Sequence, residues 1–248
     1  MFKEIDWKNI KGINLYNCDC MELMKSMPDK CMDLACVDPP YGINVGKMAF
    51  LSETNCLVKQ KNGNRLRVKN KIHTAKDWDN KVPTQEYFDE LKRISKHQII
   101  WGVNYVDWIG LGTGRIKWDK GFAEGVSFGR YEYAYCSMID YEMGIPLLWA
   151  GMCQAKSLSE PMIQQGNKKL NEKRLHPCQK PILLSLKLLM EFAHKGMKII
   201  DTHAGVFGMG IACDMFGCDF VGCEKELEYY TSGLNRFNNY KSQYLLQF

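Results

Sequence analysis

Short apolar runs alternate with amphipathic segments along most of this 248-residue chain, and that alternation constrains the fold more than any other feature. Each run has the length and the continuous apolar character of a strand that is buried on both faces of a parallel sheet. We predict five such strands, at residues 13–17, 32–37, 97–103, 197–200 and 219–223. Strands that alternate with helices in this way build a doubly wound α/β domain.

The segments between the strands carry the periodicity of helices. We predict five helices: one around Met21–Met27 that ends before Pro28, one capped by Thr84, one at 182–193, one that follows the glycines at 205–210 and one at 226–237. Residues 43–76 and 139–174 fit the alternation poorly, so we predict inserted loops or small accessory elements there. The length of the chain fits a single domain, residues 1–248, that carries these insertions.

Composition excludes several classes of protein. With 46% hydrophobic and 25% charged residues the chain has the balance of a globular domain. No apolar run approaches the ~18–20 residues that span a bilayer, and the N-terminus lacks the apolar core of a secretion signal, so we expect a cytoplasmic protein. Eleven cysteines without a C-x-x-C pair indicate free thiols rather than a zinc site or a disulfide framework, and we expect no metal.

Positive charge is concentrated in two stretches, although the net charge is only +5. The first, residues 59–71, holds six cations and no acid, and the second lies at residues 168–174. A solvated, mobile loop would explain one such stretch, but two of them favour contact with a polyanion. The candidate residues for this contact are Lys59, Lys61, Arg65, Arg67, Lys69, Lys71, Lys168, Lys169, Lys173 and Arg174.

Acidic residues follow three of the predicted strands, at the positions where the carboxyl ends of parallel strands form ligand sites. Asp38 begins a D-P-P-Y stretch, Asp201 begins a glycine-containing turn, and Glu224 follows the next strand. Such a turn lets the backbone approach a cofactor, and an acid about 20 residues later can hydrogen-bond ribose hydroxyls. Each feature alone has a plainer explanation, because Pro-Pro stops a strand and glycine makes a tight turn.

Taken together, four motifs resemble those of the DNA amino-methyltransferases that use S-adenosylmethionine. D-P-P-Y at 38–41 resembles the catalytic motif, and H-P-C-Q-K-P at 176–181 resembles a second signature. D-T-H-A-G-V-F at 201–207 resembles the cofactor motif, and C-D-C at 18–20 resembles the G-D-C that precedes the catalytic strand. The catalytic motif comes before the cofactor motif, as in the permuted beta class, and residues 76–106 are similar to phage-type adenine methyltransferases.

The resemblance implies a Rossmann-like fold with a mostly parallel sheet of seven strands, in which residues 43–76 and 139–174 recognise DNA. It implies methyl transfer from S-adenosylmethionine to the N6 amine of an adenine that is flipped out of double-stranded DNA, in the cytoplasm at the nucleoid. It leaves open whether the chain forms a homodimer and whether it has a restriction endonuclease as partner.

The resemblance also implies a role for individual residues. Asp38 and the Pro39 carbonyl would accept the two amine hydrogens, and Tyr41 would stack on the base. The implied catalytic residues are Asp38, Pro39, Pro40 and Tyr41. The implied cofactor-binding residues are Asp19, Cys20, Asp38, Lys180, Asp201, His203, Ala204, Gly205, Phe207 and Glu224.

One position departs from the resemblance, because Phe207 stands where the cofactor motif has its second glycine. Either its side chain crowds the cofactor, or the turn shifts so that Gly208 takes that place. Three alternatives to adenine methylation remain. They are N4-cytosine methylation, whose motif more often begins with Ser, methylation of RNA or a protein glutamine, whose motif usually begins with Asn, and DNA binding without catalysis.

Overall fold

The computed structural model describes residues 2, 4–44, 56–59, 65–68, 79–106, 110–121 and 129–245. Its strands are β1 Ile13–Tyr16, β2 Met32–Val37, β3 Cys56–Lys59, β4 Arg65–Val68, β5 Ser95–Trp101, β6 Arg115–Asp119, β7 Tyr131–Cys136, β8 Glu142–Pro146, β9 Trp149–Ala150, β10 Cys153–Gln154, β11 Lys198–Asp201 and β12 Asp219–Cys223. Within the described residues, eight of these strands form one sheet in the order β1-β12-β11-β2-β5-β7-β6-β8.

Helices connect the strands and follow the last one. They are α1 Cys20–Lys25, α2 Gln85–Ile94, α3 Ile182–Phe192, α4 Gly208–Phe216 and α5 Leu227–Leu245, with short 3-10 turns at Trp7–Asn9, Val103–Tyr105 and Lys168–Leu170. The five predicted helices are confirmed, and the last is longer than predicted. Thr84 stands at the start of α2, but its side chain makes no capping hydrogen bond. Among the described residues no helix combines the length and apolar character that crossing a membrane requires.

The five strands predicted from apolar runs are confirmed as β1, β2, β5, β11 and β12. They are neighbours in the sheet and all pair in parallel. Ile99, Ile100, Phe220 and Val221 are fully buried, and the same is true of Phe88 and Leu91, which α2 contributes to the core. The predicted doubly wound α/β arrangement is therefore confirmed.

The prediction of seven strands is wrong, because the sheet has eight and three of them were not predicted. β7 runs antiparallel to both β5 and β6, and β8 extends the sheet in parallel with β6. In β6 the buried Ile116 and Trp118 alternate with half-exposed residues, and β8 has one buried residue, Ile145. These strands therefore lack the continuous apolar run of the parallel strands. β8 lies inside residues 139–174, so part of this predicted insertion belongs to the sheet.

The chain divides into two compact units, residues 40–83 and the remainder. In the smaller unit β3 and β4 form an antiparallel hairpin. At the beginning of this unit, Asp79 holds the backbone at residues 41 and 42. Its Oδ1 accepts hydrogen bonds from the backbone N–H groups of Tyr41 and Gly42 at 2.8 and 2.9 Å. Asp79 is buried, so this carboxylate fixes the backbone just after the two prolines. That residues 43–76 and 139–174 recognise DNA stays a prediction.

Candidate active site

Four of the predicted site acids lie at one edge of the sheet. β1, β12, β11 and β2 are consecutive and parallel, so their carboxyl ends point the same way. Glu224 follows β12, Asp201 ends β11, Asp38 follows β2, and Asp19 follows β1 by a few residues. The parallel pairing therefore places at one edge the acids that the sequence distributes over most of the chain.

Asp38 forms an ion pair with Lys180, joining the first and second sequence motifs. The contact links Oδ2 of Asp38 to the ammonium Nζ of Lys180, and the two side chains are only 23% and 14% exposed. Asp38 and Pro39 belong to the larger unit, whose first segment ends at Pro39, whereas Pro40 and Tyr41 belong to the smaller unit. The sequence motif D-P-P-Y thus crosses the boundary between the units.

Two residues that sequence reasoning missed extend this ion pair. Glu132 of β7 lies 3.4 Å from Lys180 through Oε2, and its Oε1 lies 2.9 Å from Nζ of Lys120. Glu132 lies on the same face of β7 as the buried Ala134 and Cys136. An acid that alternates with buried apolar residues needs a partner, and this pattern could have indicated Glu132 from the sequence. The result is a row of alternating charges: Asp38, Lys180, Glu132 and Lys120.

The charges in this row stabilise one another. Burial lowers the pKa of Lys180, but the carboxylates of Asp38 and Glu132 outweigh burial and raise the pKa above its usual value. Burial raises the pKa of Glu132, but the two lysines outweigh it and hold the pKa below its usual value. Both groups are therefore charged at neutral pH.

The turn after β11 is held by the two other acids of the edge. Asp201 Oδ1 accepts a hydrogen bond from the His203 N–H at 3.0 Å, and Glu224 Oε2 accepts one from the Gly205 N–H at 3.0 Å. Gly205 has a φ of +52°, in the left-handed region that glycine adopts without strain. Burial is the largest cause that raises the pKa of Asp201 and of Glu224, each to about 7.

His203 is fixed by its neighbours. The Tyr87 hydroxyl lies 2.7 Å from Oγ1 of Thr202 and 3.4 Å from Nδ1 of His203, and the Tyr87 and His203 rings meet edge to face. On the other side, Cys20 Sγ lies 4.0 Å from Nε2. Burial lowers the pKa of His203 to about 4, so the imidazole is neutral at physiological pH.

Asp19 fixes the start of α1 beside the end of β12. Its Oδ1 accepts a hydrogen bond from the Met21 N–H at 2.9 Å, and its Oδ2 lies 3.0 Å from Nζ of Lys225. Cys20, the next residue, has a thiol whose pKa burial raises to about 12, so it stays protonated.

The side chain of Phe207 is directed into the protein. The residue has a φ of +58° and immediately precedes α4, a conformation that glycine would adopt at lower energy. Its ring is fully buried and meets Tyr230 of α5 nearly at right angles, with centroids 5.6 Å apart. Phe207 therefore has the left-handed backbone conformation, while its ring is not exposed at the surface of the loop. Ala204, in the same loop, is buried too.

A half-buried acid joins the H-P-C-Q-K-P segment to this turn. Glu172 Oε1 accepts from the Gln179 side-chain amide at 2.7 Å, and Oε2 accepts from the Ile182 N–H at 3.0 Å. Glu172 also pairs with Arg236 of α5, and Arg236 donates to the Val206 carbonyl at 3.0 Å. His176 packs its ring on Tyr229, 4.3 Å away, and accepts from the Cys178 N–H.

The predicted DNA-binding residues fall in different environments. Lys169 and Lys173 are exposed. Arg174 is instead half-buried, with its guanidinium 4.4 Å from the Trp149 ring, and two of its nitrogens have no hydrogen-bond partner among the described residues. Lys59, Arg65 and Arg67 lie in β3 and β4, for which only the backbone is described. The side chain of Lys168 and the residues Lys61, Lys69 and Lys71 lie outside the described part of the chain.

No cluster of three or more metal-binding side chains occurs within the described ranges. The polar groups described at this edge belong to two sets. They are the row Asp38–Lys180–Glu132–Lys120 and the turn held by Asp201 and Glu224.

Comparison with known proteins shows what this arrangement is similar to. The sequence model of a family described as DNA methylase, the N6/N4 methyltransferases, matches residues 54–235. The Type II methyltransferase M2.MboI of Moraxella bovis is 21% identical, over 92% of this chain and 88% of its own length.

Solved structures of DNA methyltransferases share the fold. The structure of an M1.HpyAVI–SAM complex is 16% identical with a TM-score of 0.51, covering 90% of this chain and 99% of that one. PvuII DNA methyltransferase, which is cytosine-N4-specific, is 14% identical with a TM-score of 0.53, covering 92% of this chain and 90% of that one. The predicted Rossmann-like methyltransferase fold is confirmed.

Because the Phe207 ring packs beside Gly233 of α5, we predict that replacing this glycine by alanine destabilises the protein. A Cβ at Gly233 would lie 2.6 Å from Cδ2 of the Phe207 ring. Replacing glycine by alanine within a helix normally stabilises by about 0.5–1 kcal/mol. We expect Gly233→Ala to destabilise instead, by about 1–3 kcal/mol, because the buried ring has to move. Urea unfolding measures the difference.

Gly144→Ala in β8 is the matched control, because a Cβ at that position meets no atom within 4 Å. Its free energy of unfolding should stay close to that of the unmodified protein. A Gly233→Ala protein as stable as this control would show that the Phe207 ring is not held against α5.

Proposed function

Because the chain belongs to the N6/N4 family of DNA methyltransferases, which are S-adenosylmethionine-dependent enzymes, we propose that it methylates the N6 amine of adenine in double-stranded DNA. The observation that carries the proposal is Asp38, an acid at the carboxyl end of β2 that a half-buried lysine keeps in place. The choice of adenine rests on a motif that begins with Asp rather than Ser and on residues 76–106, which resemble phage-type adenine methyltransferases.

The turn after β11 fits the cofactor. A Cβ built on Gly205 would meet no atom within 4 Å, so the backbone there borders open space. Glu224 lies beside this turn, and a carboxyl group whose pKa is about 7 can accept hydrogen bonds from ribose hydroxyls. We assign cofactor binding to Asp19, Asp201, Ala204, Gly205 and Glu224. The cofactor supplies a methyl group activated by a sulfonium.

Asp38 and Pro39 act on the target amine. The amine of adenine is conjugated with its ring and is a weak nucleophile, and a base inside a duplex has to be flipped out at a cost of roughly a few kcal/mol. The Asp38 carboxylate accepts one amine hydrogen and the Pro39 carbonyl accepts the other, which draws the nitrogen toward tetrahedral geometry. Tyr41, three residues after Asp38, offers an aromatic ring on which the base stacks. Stacking of one base contributes about 1–3 kcal/mol to binding.

The modified nucleoside tests this assignment. After incubation of unmethylated DNA with the protein and S-adenosylmethionine, nucleoside mass spectrometry should detect N6-methyladenine. Asp38→Ala should abolish the product while the protein stays folded, and Asp38→Asn, which keeps an acceptor oxygen, should retain a small fraction. Glu4→Gln, a change at an exposed acid near the N-terminus and outside both predicted DNA-recognition segments, serves as the control and should be fully active.

Finding N4-methylcytosine alone would assign the chain to the other branch of the family. If no modified nucleoside forms and calorimetry detects no binding of S-adenosylmethionine, the chain is a DNA-binding protein without catalysis. Near-normal turnover by Asp38→Ala would refute the role given to this carboxylate.

We further propose that the basic stretch 59–71 contacts DNA phosphate. Backbone pairing in the β3–β4 hairpin sets Lys59 opposite Arg65 and Leu57 opposite Arg67. Six cations without a compensating acid repel one another, and phosphate relieves that repulsion. Lys168, Lys169, Lys173 and Arg174 form a second candidate contact.

Salt dependence tests the hairpin. Each phosphate contact contributes about −0.9 to the slope of log affinity against log salt concentration. Arg65→Ala with Arg67→Ala should weaken DNA binding regardless of sequence and make this slope shallower. The control protein carries Lys195→Ala with Lys241→Ala, two exposed lysines outside both stretches, and should keep the original slope. An identical slope in both double variants would show that Arg65 and Arg67 do not contact DNA phosphate.

A further inference from the structure

We propose that Glu132 is a positioning residue, which controls how tightly Lys180 holds Asp38 and therefore how readily Asp38 accepts the target amine. The inference rests on the proposed function, in which Asp38 is an acceptor for an amine hydrogen. Glu132 itself does not touch the reacting atoms in this scheme, because it acts through Lys180.

The ammonium group of Lys180 lies between two carboxylates. Asp38 contacts it directly, and Glu132 Oε2 is 3.4 Å away. The Trp101 ring forms a third wall, with its centroid 5.0 Å from Nζ. A cation with two anionic neighbours and an aromatic wall has two places to bind, so its preference depends on the charge of each carboxylate.

Glu132 is in turn shared between two lysines, one at each oxygen. Oε2 faces Lys180, while Oε1 lies 2.9 Å from Nζ of Lys120. The position is fixed by the sheet, since Glu132 pairs with Trp118 across β6 and β7 and the Lys120 N–H donates to the Arg130 carbonyl. All four charged side chains of the row are less than a third exposed, so solvent screens their interactions only in part.

Lys180 and the substrate amine compete for the same carboxylate. The ammonium is a charged donor and binds a carboxylate more strongly than a neutral amine does. Glu132 offers the ammonium a second anion, which reduces its hold on Asp38. When the charge of Glu132 is removed, Asp38 becomes the remaining anion of the row beside Lys180. The ammonium then binds Oδ2 of Asp38 more tightly, which makes the carboxylate a weaker acceptor for the amine hydrogen.

Glu132→Gln tests this competition. In single-turnover experiments the rate of methyl transfer should fall about 10- to 100-fold, the size expected for a misplaced catalytic group, while the dissociation constant for S-adenosylmethionine changes less than about twofold. Asp119→Asn is the matched control, because this nearby acid on β6 pairs with Arg130 instead. Its rate should stay normal, and thermal unfolding should show that both variants are folded.

A double-mutant cycle separates positioning from a general structural role. If Glu132 acts through Lys180, then Glu132→Gln has no further effect on the rate in a Lys180→Met protein. An unchanged rate in Glu132→Gln alone would overturn the inference, and so would an equal loss of rate in both backgrounds. If the unmodified protein forms no N6-methyladenine, the proposed function is wrong. If it forms N6-methyladenine and the variants give one of the two contrary results, only the role given to Glu132 is wrong.

Lys120→Gln changes the residue at the other end of the row of charges. It tests the role of Glu132 even if the Glu132→Gln protein does not fold. Without Lys120, Glu132 attracts Lys180 more strongly and draws it away from Asp38. The rate should therefore stay equal or rise. A fall as large as that expected for Glu132→Gln would contradict the proposed competition.

Discussion

The ion pair between Asp38 and Lys180 is the contact that turns separate sequence motifs into one site. It joins the end of β2 to the segment that leads into α3, and both side chains are largely withdrawn from water. A buried ion pair is stable only when further polar contacts complete it, because desolvation opposes the attraction of the two charges. Glu132 and Lys120 provide that completion. The surroundings of Asp38 thus include residues of β7 and of the segment just after β6.

A second set of contacts joins this row to the turn after β11, the proposed cofactor site. Arg236 of α5 donates to the Val206 carbonyl and pairs with Glu172, and Glu172 holds both Gln179 and the first N–H of α3. One arginine therefore connects the turn after β11 with the segment that carries Lys180. The two loops are therefore connected through half-buried groups, which suits the proposed reaction, because its rate depends on positioning.

Parallel strands and the acids that follow them could be predicted from the sequence, because a strand that is buried on both faces is a continuous apolar run. β6 and β7 have one half-exposed face and could not be recognised in that way. Glu132 and Lys120 were missed for the same reason, since their roles depend on how β7 pairs with β6. The direction of the Phe207 side chain depends on Gly233 of α5, which no local motif around Phe207 contains.

A crystal structure with bound S-adenosylhomocysteine, the cofactor without its methyl group, tests the central claim most directly. The ribose hydroxyls should lie within about 2.6–3.2 Å of Glu224, at the carboxyl ends of β11 and β12, with the Phe207 ring still buried against α5. A nucleoside bound elsewhere, or one that enters only after the Phe207 ring has left its place beside Gly233, would contradict the site described for this chain.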